Sequence, residues 1–139
     1  MAAHLDATLR NDVTELGRLT ALIEDFGRAH HFSSKAVFTL TLCLDEVVTN
    51  IISHGYDDGA EHAIRLQFDL ADGALTIIVE DDGKPFDPLT HAAPDLDAPL
   101  EDREIGGLGV HFLRTLMDGV EYRREQGRNR LVMKKNLPA

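Results

Sequence analysis

Three features of this chain have residue types and spacing that could do chemistry. They are a glutamate and an asparagine four residues apart, a strand-like run ending in Asp-Asp-Gly, and a cluster Gly-Gly-Leu-Gly heading an apolar segment. The pair lies in LCLDEVVTNIISHGY (residues 42–56), where Glu46 and Asn50 share one face of any helix. A carboxylate there could act as general base on an incoming hydroxyl or water. An asparagine oxygen is a hard donor suited to Mg2+, which keeps several waters and takes few protein ligands. Asp45, one step round the helix, is less well placed for the same work. On a bare helix such a pair is most simply a solvated face.

The second feature is VEDDGKPFDP (residues 79–88). A carboxylate such as Asp81 at the end of an apolar strand can accept a hydrogen bond from an exocyclic amine such as adenine N6. Gly83 lets backbone approach a flat ring without a side-chain clash. Taken alone, Asp81-Asp82-Gly83 suits a plain turn equally well.

The third is GGLGVHFL (residues 106–113). Glycine costs stability at the start of a helix. What Gly106, Gly107, Leu108 and Gly109 provide is free backbone N–H groups close to an anion, at the positive end of the helix dipole. A flexible linker is the plainer alternative. The cluster fits neither the GxxxxGK[ST] phosphate loop nor a dinucleotide GxGxxG after a strand. Lys84, Arg103, His111 and Arg114 are cations that could reach phosphates, although charged residues beside loops are mostly solvated. The order and spacing of the three segments, more than any one of them, point to a nucleotide and metal site.

Bulk properties narrow the field. At 139 residues the chain reads as one domain able to bury a core. Its net charge of −10 argues against a nucleic-acid partner, since a phosphate backbone would be repelled. That charge still allows ATP, met locally by Mg2+ and backbone amides, and a basic protein partner. One cysteine, Cys43, excludes an intrachain disulfide and a thiolate cluster, and one turn before Glu46 it reads as a small packing residue. His4, His30, His31, His62 and His91 show no ligand spacing. The first residues carry no apolar signal core and no apolar run approaches spanning length, so a cytoplasmic protein without a membrane segment is expected.

The elements that must position these residues follow from periodicity. His4–Leu9 alternates weakly, as a short edge strand would. Val13, Leu16, Leu19, Ile23 and Phe26 mark an amphipathic helix from Asp12 to about His31. Ser33 can cap a second helix over Ser34–Ser53, which His54-Gly55 ends. Ala63–Leu70 and Ala74–Asp81 alternate around Asp72-Gly73, a hairpin signal. Residues 88–105 carry three prolines, many charges and little periodicity, which suggests a functional lid. A short helix at Leu108–Leu116 and a hairpin of Val120–Arg124 with Arg128–Lys135 complete the chain. The expectation is an α+β two-layer sandwich, its mostly antiparallel sheet covered on one face by about three helices.

The motifs E-x-x-x-N-x-x-x-H, D-x-G after a strand and G-G-L-G before a helix resemble the N, G1 and G2 boxes of the GHKL ATP-binding superfamily. The segments DEVVTNIISHGY, DDGKPFDP and GGLGVHFLRTLMD look like the anti-sigma-factor serine kinases of bacterial partner-switching systems, and the resemblance covers nearly the whole chain, including the leading helix and the closing hairpin. That resemblance implies ATP held between helices and lid, with Asn50 on Mg2+, Asp81 on adenine and Gly106, Gly107 and Gly109 beside the phosphates. It implies that Glu46 is the base for an accepting serine on a STAS-domain anti-anti-sigma protein, and that a sigma factor or another target is sequestered. Homodimerisation through the sheet edge and first helix is a further expectation from the family. One departure is Pro85, where the G1 box usually has its second glycine; it weakens transfer of lid geometry. The chain also lacks a phosphoacceptor-histidine hairpin, which argues against a two-component kinase. Other readings are a nucleotide-gated binding module that moves no phosphate, the ATPase domain of a sensor kinase, and an α+β domain with coincidental glycines.

Overall fold

The computed structural model describes residues 2–87 and 113–137. Within them five strands form one sheet: β1 (Ala2–Arg10), β2 (Ala63–Ala71), β3 (Ala74–Asp81), β4 (Gly119–Glu125) and β5 (Arg128–Asn136). They lie in the order β1-β2-β3-β5-β4 and every described pairing is antiparallel. Helices α1 (Leu16–Ala29) and α2 (Ser34–His54) fall between β1 and β2, and residues 113–116 form a helical turn before β4. This is the expected α+β architecture. The Gly106–Gly109 cluster, the lid at 88–105, Arg103 and His111 lie outside the described residues.

The strand period sets the layers. Leu9 on β1, Ile64, Leu66 and Phe68 on β2, Leu75, Ile77 and Val79 on β3, and Leu131 and Met133 on β5 are all buried. The residues between them are largely more exposed. This alternation turns one sheet face to the core. On the helical side the same core takes Leu19, Ile23 and Phe26 from α1, and Leu40, Cys43, Leu44, Val47 and Val48 from α2. By length and composition α2 would pass as a membrane span, contrary to the expectation from sequence, but its apolar side is seated in this core.

Both tight hairpins use the same turn chemistry. Asp72 and Gly73 join β2 to β3 at φ +53° and +78°, and Gln126 and Gly127 join β4 to β5 at +54° and +76°. Two successive positive φ values match the right-handed strand twist, which favours glycine at the second position. Helix α1 ends in a Schellman arrangement around His31 (φ +60°), with the Phe32 N–H donating to the Gly27 carbonyl at 2.8 Å. Ser33 then caps α2, its hydroxyl accepting from the Ala36 N–H at 3.1 Å.

The first helix departs from expectation at its start. Val13–Glu15 is a 3-10 turn capped by Asp12, and the α-helix begins only at Leu16. The cause is Glu15, which is buried and turns back to accept from the Arg10 backbone N–H at 3.0 Å and its guanidinium at 3.2 Å. At the other side of the core, Lys135 donates from Nζ to the Leu116 carbonyl at 2.7 Å, tying the helical turn to β5.

Phe68 lies on the β2 centre, fully buried, with its ring edge-on to Phe26 at 5.4 Å. Phe68→Ala should therefore lower the unfolding free energy by about 3–5 kcal/mol, read from a urea denaturation midpoint.

Candidate functional site

Strand β3 carries its inward alternation one step past the apolar residues, so Asp81 falls on the core face and is only 3% exposed. A carboxylate so placed needs partners. Register supplies the first: Asp81 pairs across to Asn129 on β5, which pairs in turn with Arg124 on β4. Asn129 donates through Nδ2 to Asp81 Oδ1 at 3.0 Å, and the Gly83 N–H donates to the same oxygen at 2.8 Å. Among the described residues both bonds fall on Oδ1, leaving Oδ2 as the oxygen to accept from a ligand. Burial raises the Asp81 pKa above the usual carboxylate value, Asn129 and the Gly83 N–H oppose that, Asp82 adds to it and Arg124 opposes it.

Asn129 does more than satisfy Asp81. Its Nδ2 also donates to the Lys84 carbonyl at 2.8 Å, and its Oδ1 accepts from the Phe86 N–H at 3.3 Å and from the Tyr122 hydroxyl. One amide thus fixes the course of the chain after β3. The turn is clamped from two further sides. Arg124 donates to the Gly83 carbonyl at 2.7 Å, and the Lys84 N–H donates to the Gly55 carbonyl at 2.8 Å. A Cβ on Gly83 would lie 2.7 Å from that Gly55 oxygen. Glycine is therefore required here by the approach of two backbone segments, a reason additional to closeness with a ligand.

Between this turn and α2 lies a recess that opens to solvent, about 570 Å³ with its open mouth included. Glu46, Asn50 and His54 line it from α2, with Val47 and Ile51; Val79, Asp81, Leu131 and Asn129 line it from the sheet. Gly55, Lys84, Phe86, Leu113 and Tyr122 complete the described walls. Largely apolar walls with a few convergent polar groups suit a flat heteroaromatic ring. Asn50 donates from Nδ2 to Glu46 Oε1 at 3.3 Å, so its carbonyl oxygen is the end suited to a hard cation. Half-buried Glu46 has its pKa raised, chiefly by burial, with the Asn50 bond opposing and Asp45 adding to the rise.

The structure thus brings Glu46, Asn50, Asp81 and Lys84 to one recess, with Gly83 in the turn beside it. Asp45 is exposed and does not line it. Lys84 Nζ pairs with Asp57 at 2.9 Å, a surface pair that an incoming phosphate could replace at little cost. Arg114 is exposed on the helical turn. Cys43 is buried in the core, its thiol pushed up to about 11 by burial, and takes no part. Asn129, Tyr122 and Arg124 were not evident as site residues from sequence. The available signal was Asn129 itself, a polar residue in phase with Leu131 and Met133 on a buried strand face.

No cluster of three or more His, Cys, Asp or Glu side chains suited to a metal occurs among the described residues. Asn50 with substrate phosphates is a donor set that fits Mg2+, which seldom uses an all-protein cage.

The fold and recess belong to a known class. Residues 9–135 match the histidine kinase-like ATPase domain, and the chain belongs to that family. It is 33% identical over 128 residues to the serine/threonine-protein kinase BtrW of Bordetella bronchiseptica, covering 91% of this chain and 90% of that one. It is 35% identical over 95 residues to the anti-sigma F factor of Clostridium novyi, covering 68% of this chain and 66% of the other. Among solved structures, the RsbU and RsbW domains of Rv1364c from Mycobacterium tuberculosis superpose with a TM-score of 0.72 at 17% identity. That match covers 99% of this chain and 34% of the larger one, and it establishes likeness of fold.

Asn129→Ala removes the donor to Asp81 and to the Lys84 carbonyl together. A loss of about 1–3 kcal/mol in unfolding free energy is expected from urea denaturation, because a buried acceptor is left short of a partner. An unchanged midpoint would show that the amide does not sustain the buried carboxylate.

Proposed function

We infer that this chain is a Mg-ATP-dependent protein serine kinase that also acts as an anti-sigma-type regulator. The enzyme class is that of its relatives, named as serine/threonine-protein and serine-protein kinases: the chain is a protein serine/threonine kinase. ATP binding follows from the family. The finer reading is that the acceptor is a serine on a STAS-domain anti-anti-sigma protein, and that the chain sequesters a sigma factor or another target until the unphosphorylated partner displaces it. The relatives named anti-sigma F factor support this reading. A cytoplasmic setting would suit it.

The observation that carries the assignment is the pairing across one recess of a buried carboxylate on the sheet with a Glu–Asn pair on α2. Adenine would enter between the apolar walls and donate its exocyclic amine to Asp81. The triphosphate would then run along α2 toward Asn50, the residue placed to help hold Mg2+. Bound there, the metal would neutralise charge on the phosphate oxygens. Glu46 is the candidate base. Its carboxylate would take the proton of the acceptor serine hydroxyl as that oxygen bonds to the γ-phosphorus. The bond from γ-phosphorus to the bridging oxygen breaks, and ADP leaves with the electron pair. A raised pKa improves a carboxylate as a proton acceptor.

One observation favours a second reading. The Glu46 oxygen already accepts from Asn50, as it would in a purely structural pair of a nucleotide-gated binding module that transfers nothing.

Transfer of γ-labelled phosphate from Mg-ATP to a STAS-domain protein of the same genome distinguishes them. Label on a partner serine is expected. Glu46→Ala should slow that transfer roughly 10²–10⁴-fold while sparing ATP binding. Tight complexes without label, for every such partner tried, would favour the binding module. Separately, Asp81→Ala should weaken ATP binding by roughly 1.5–3 kcal/mol, the worth of a hydrogen bond to a charged group, in a calorimetric titration. Unchanged affinity would remove Asp81 from the site.

A further inference from the structure

Just outside the recess, the segment that follows α2 crosses the turn carrying Asp81. Tyr56 and His62 stack there, ring centroids 4.3 Å apart at 17°. The Tyr56 hydroxyl donates to Asp82 Oδ1 at 3.2 Å. His62 places Nδ1 3.3 Å from Asp82 Oδ2 and Nε2 2.7 Å from Asp58 Oδ2. Its backbone is anchored to the end of β1, the N–H donating to Asn11 Oδ1 at 2.8 Å and the carbonyl accepting from the Asn11 N–H at 3.0 Å. Asp82 is the residue next to Asp81.

Both ring nitrogens of His62 therefore face carboxylate oxygens. A neutral imidazole has one N–H, so it can donate to only one of them and presents a lone pair to the other. Only the doubly protonated ring donates to both.

We propose that His62 is a positioning residue for nucleotide binding, and that its doubly protonated ring ties Asp82, with the turn that carries Asp81, to the anchored segment. Loss of one ring proton loosens the tie, and nucleotide affinity falls with it. This rests on the reading of Asp81 as the adenine contact. The electrostatics agree with the geometry: the bond to Asp58, then that to Asp82, raise the His62 pKa above 6.5, with burial opposing. A raised value places the gain on the acid side. The tie is complete below the ordinary imidazole range and is lost as pH climbs through the raised value of His62.

Other groups facing the ring do not produce this profile. Asp58 and Asp82 are both held below the usual carboxylate value, and the Tyr56 phenol is pushed well above its own. Arg10, Glu15, Arg18 and Glu61 border the groove on the far side, where Arg10 pairs with Glu15 and Glu61. In this cluster the group whose change of charge lies nearest neutrality is the imidazole.

The test is calorimetric titration of ADP into the full chain at about pH 6 and about pH 8, for the wild type and for His62→Gln, Asp58→Asn and Asp81→Asn. Ionisation of the ADP phosphate and of Asp81 is common to the wild type and His62→Gln, so the quantity read is the ratio of their affinities. The wild type should bind roughly two- to fivefold tighter near pH 6, the span of a partly exposed ion pair, and the ratio should close toward one near pH 8. Asp58→Asn keeps the imidazole in place and should move that closing to lower pH; if His62→Gln does not fold, the ratio of wild type to Asp58→Asn is read instead and should likewise change with pH. A ratio that is the same at both pH values, or a profile that Asp58→Asn leaves unmoved, overturns the proposal. If Asp81→Asn loses ADP while His62→Gln binds as the wild type does, the tie alone fails. If the wild type binds no ADP, the reading of the recess fails and the proposal with it.

Discussion

Everything around the recess is arranged to keep one carboxylate buried. Asp81 sits on the core face of the central strand, where an isolated ionised group would be far too costly. Two donors reach its Oδ1, and neither is accidental. One comes from the backbone two residues on, which obliges the chain to turn as soon as β3 ends. The other comes from Asn129, which the β3–β5 register places opposite. A slip of one residue in that register would turn Asn129 to the open face and leave Asp81 short of a partner. The hairpin at Gln126-Gly127, which fixes where β5 pairs with β4, is thus indirectly a determinant of the site.

The same requirement explains why the walls of the recess come from distant parts of the chain. Once Asp81 forces the turn, its free backbone groups need partners, and Gly55, Arg124 and Asn129 provide them. Gly55 is the C-cap of α2, so the clamp holds the end of the helix against the end of the strand. Glu46 and Asn50 lie further back along the same helix, interleaved with buried Val47 and Val48. Core packing thus sets the height of α2 above the sheet and the clamp fixes its end. The Glu–Asn pair is held by both.

Much of this was legible in the sequence because it depends on short-range patterns. Strand alternation, the Asp72-Gly73 turn, the Ser33 cap and the i, i+4 spacing of Glu46 and Asn50 are local, and each fell within a residue or two of expectation. The start of α1 was not legible, since its 3-10 turn arises from Glu15 reaching back to the end of β1. Nor was the partnership of Asp81 with Asn129, residues 48 apart in sequence that meet only through strand order. The role of Gly83 was half legible. A glycine after two aspartates announces a turn, but the contact that forbids a side chain there is with Gly55, at the end of α2.

Charge supplies the last constraint. A chain of net charge −10 that takes an anionic nucleotide has to meet the phosphates locally. Two of the described cations near the recess are already engaged: Arg124 on the Gly83 carbonyl and Lys84 on Asp57. Their engagements differ in kind. Arg124 is part of the clamp, and withdrawing it would release the turn beside Asp81. Lys84 is held only by an exposed aspartate, at little energetic gain, so it can be redirected. With Arg124 committed, Lys84 is the described lysine lining the recess that can turn to the phosphates. One lysine is little charge for a nucleotide's phosphates; under the proposed function a divalent cation held by Asn50 would add to it.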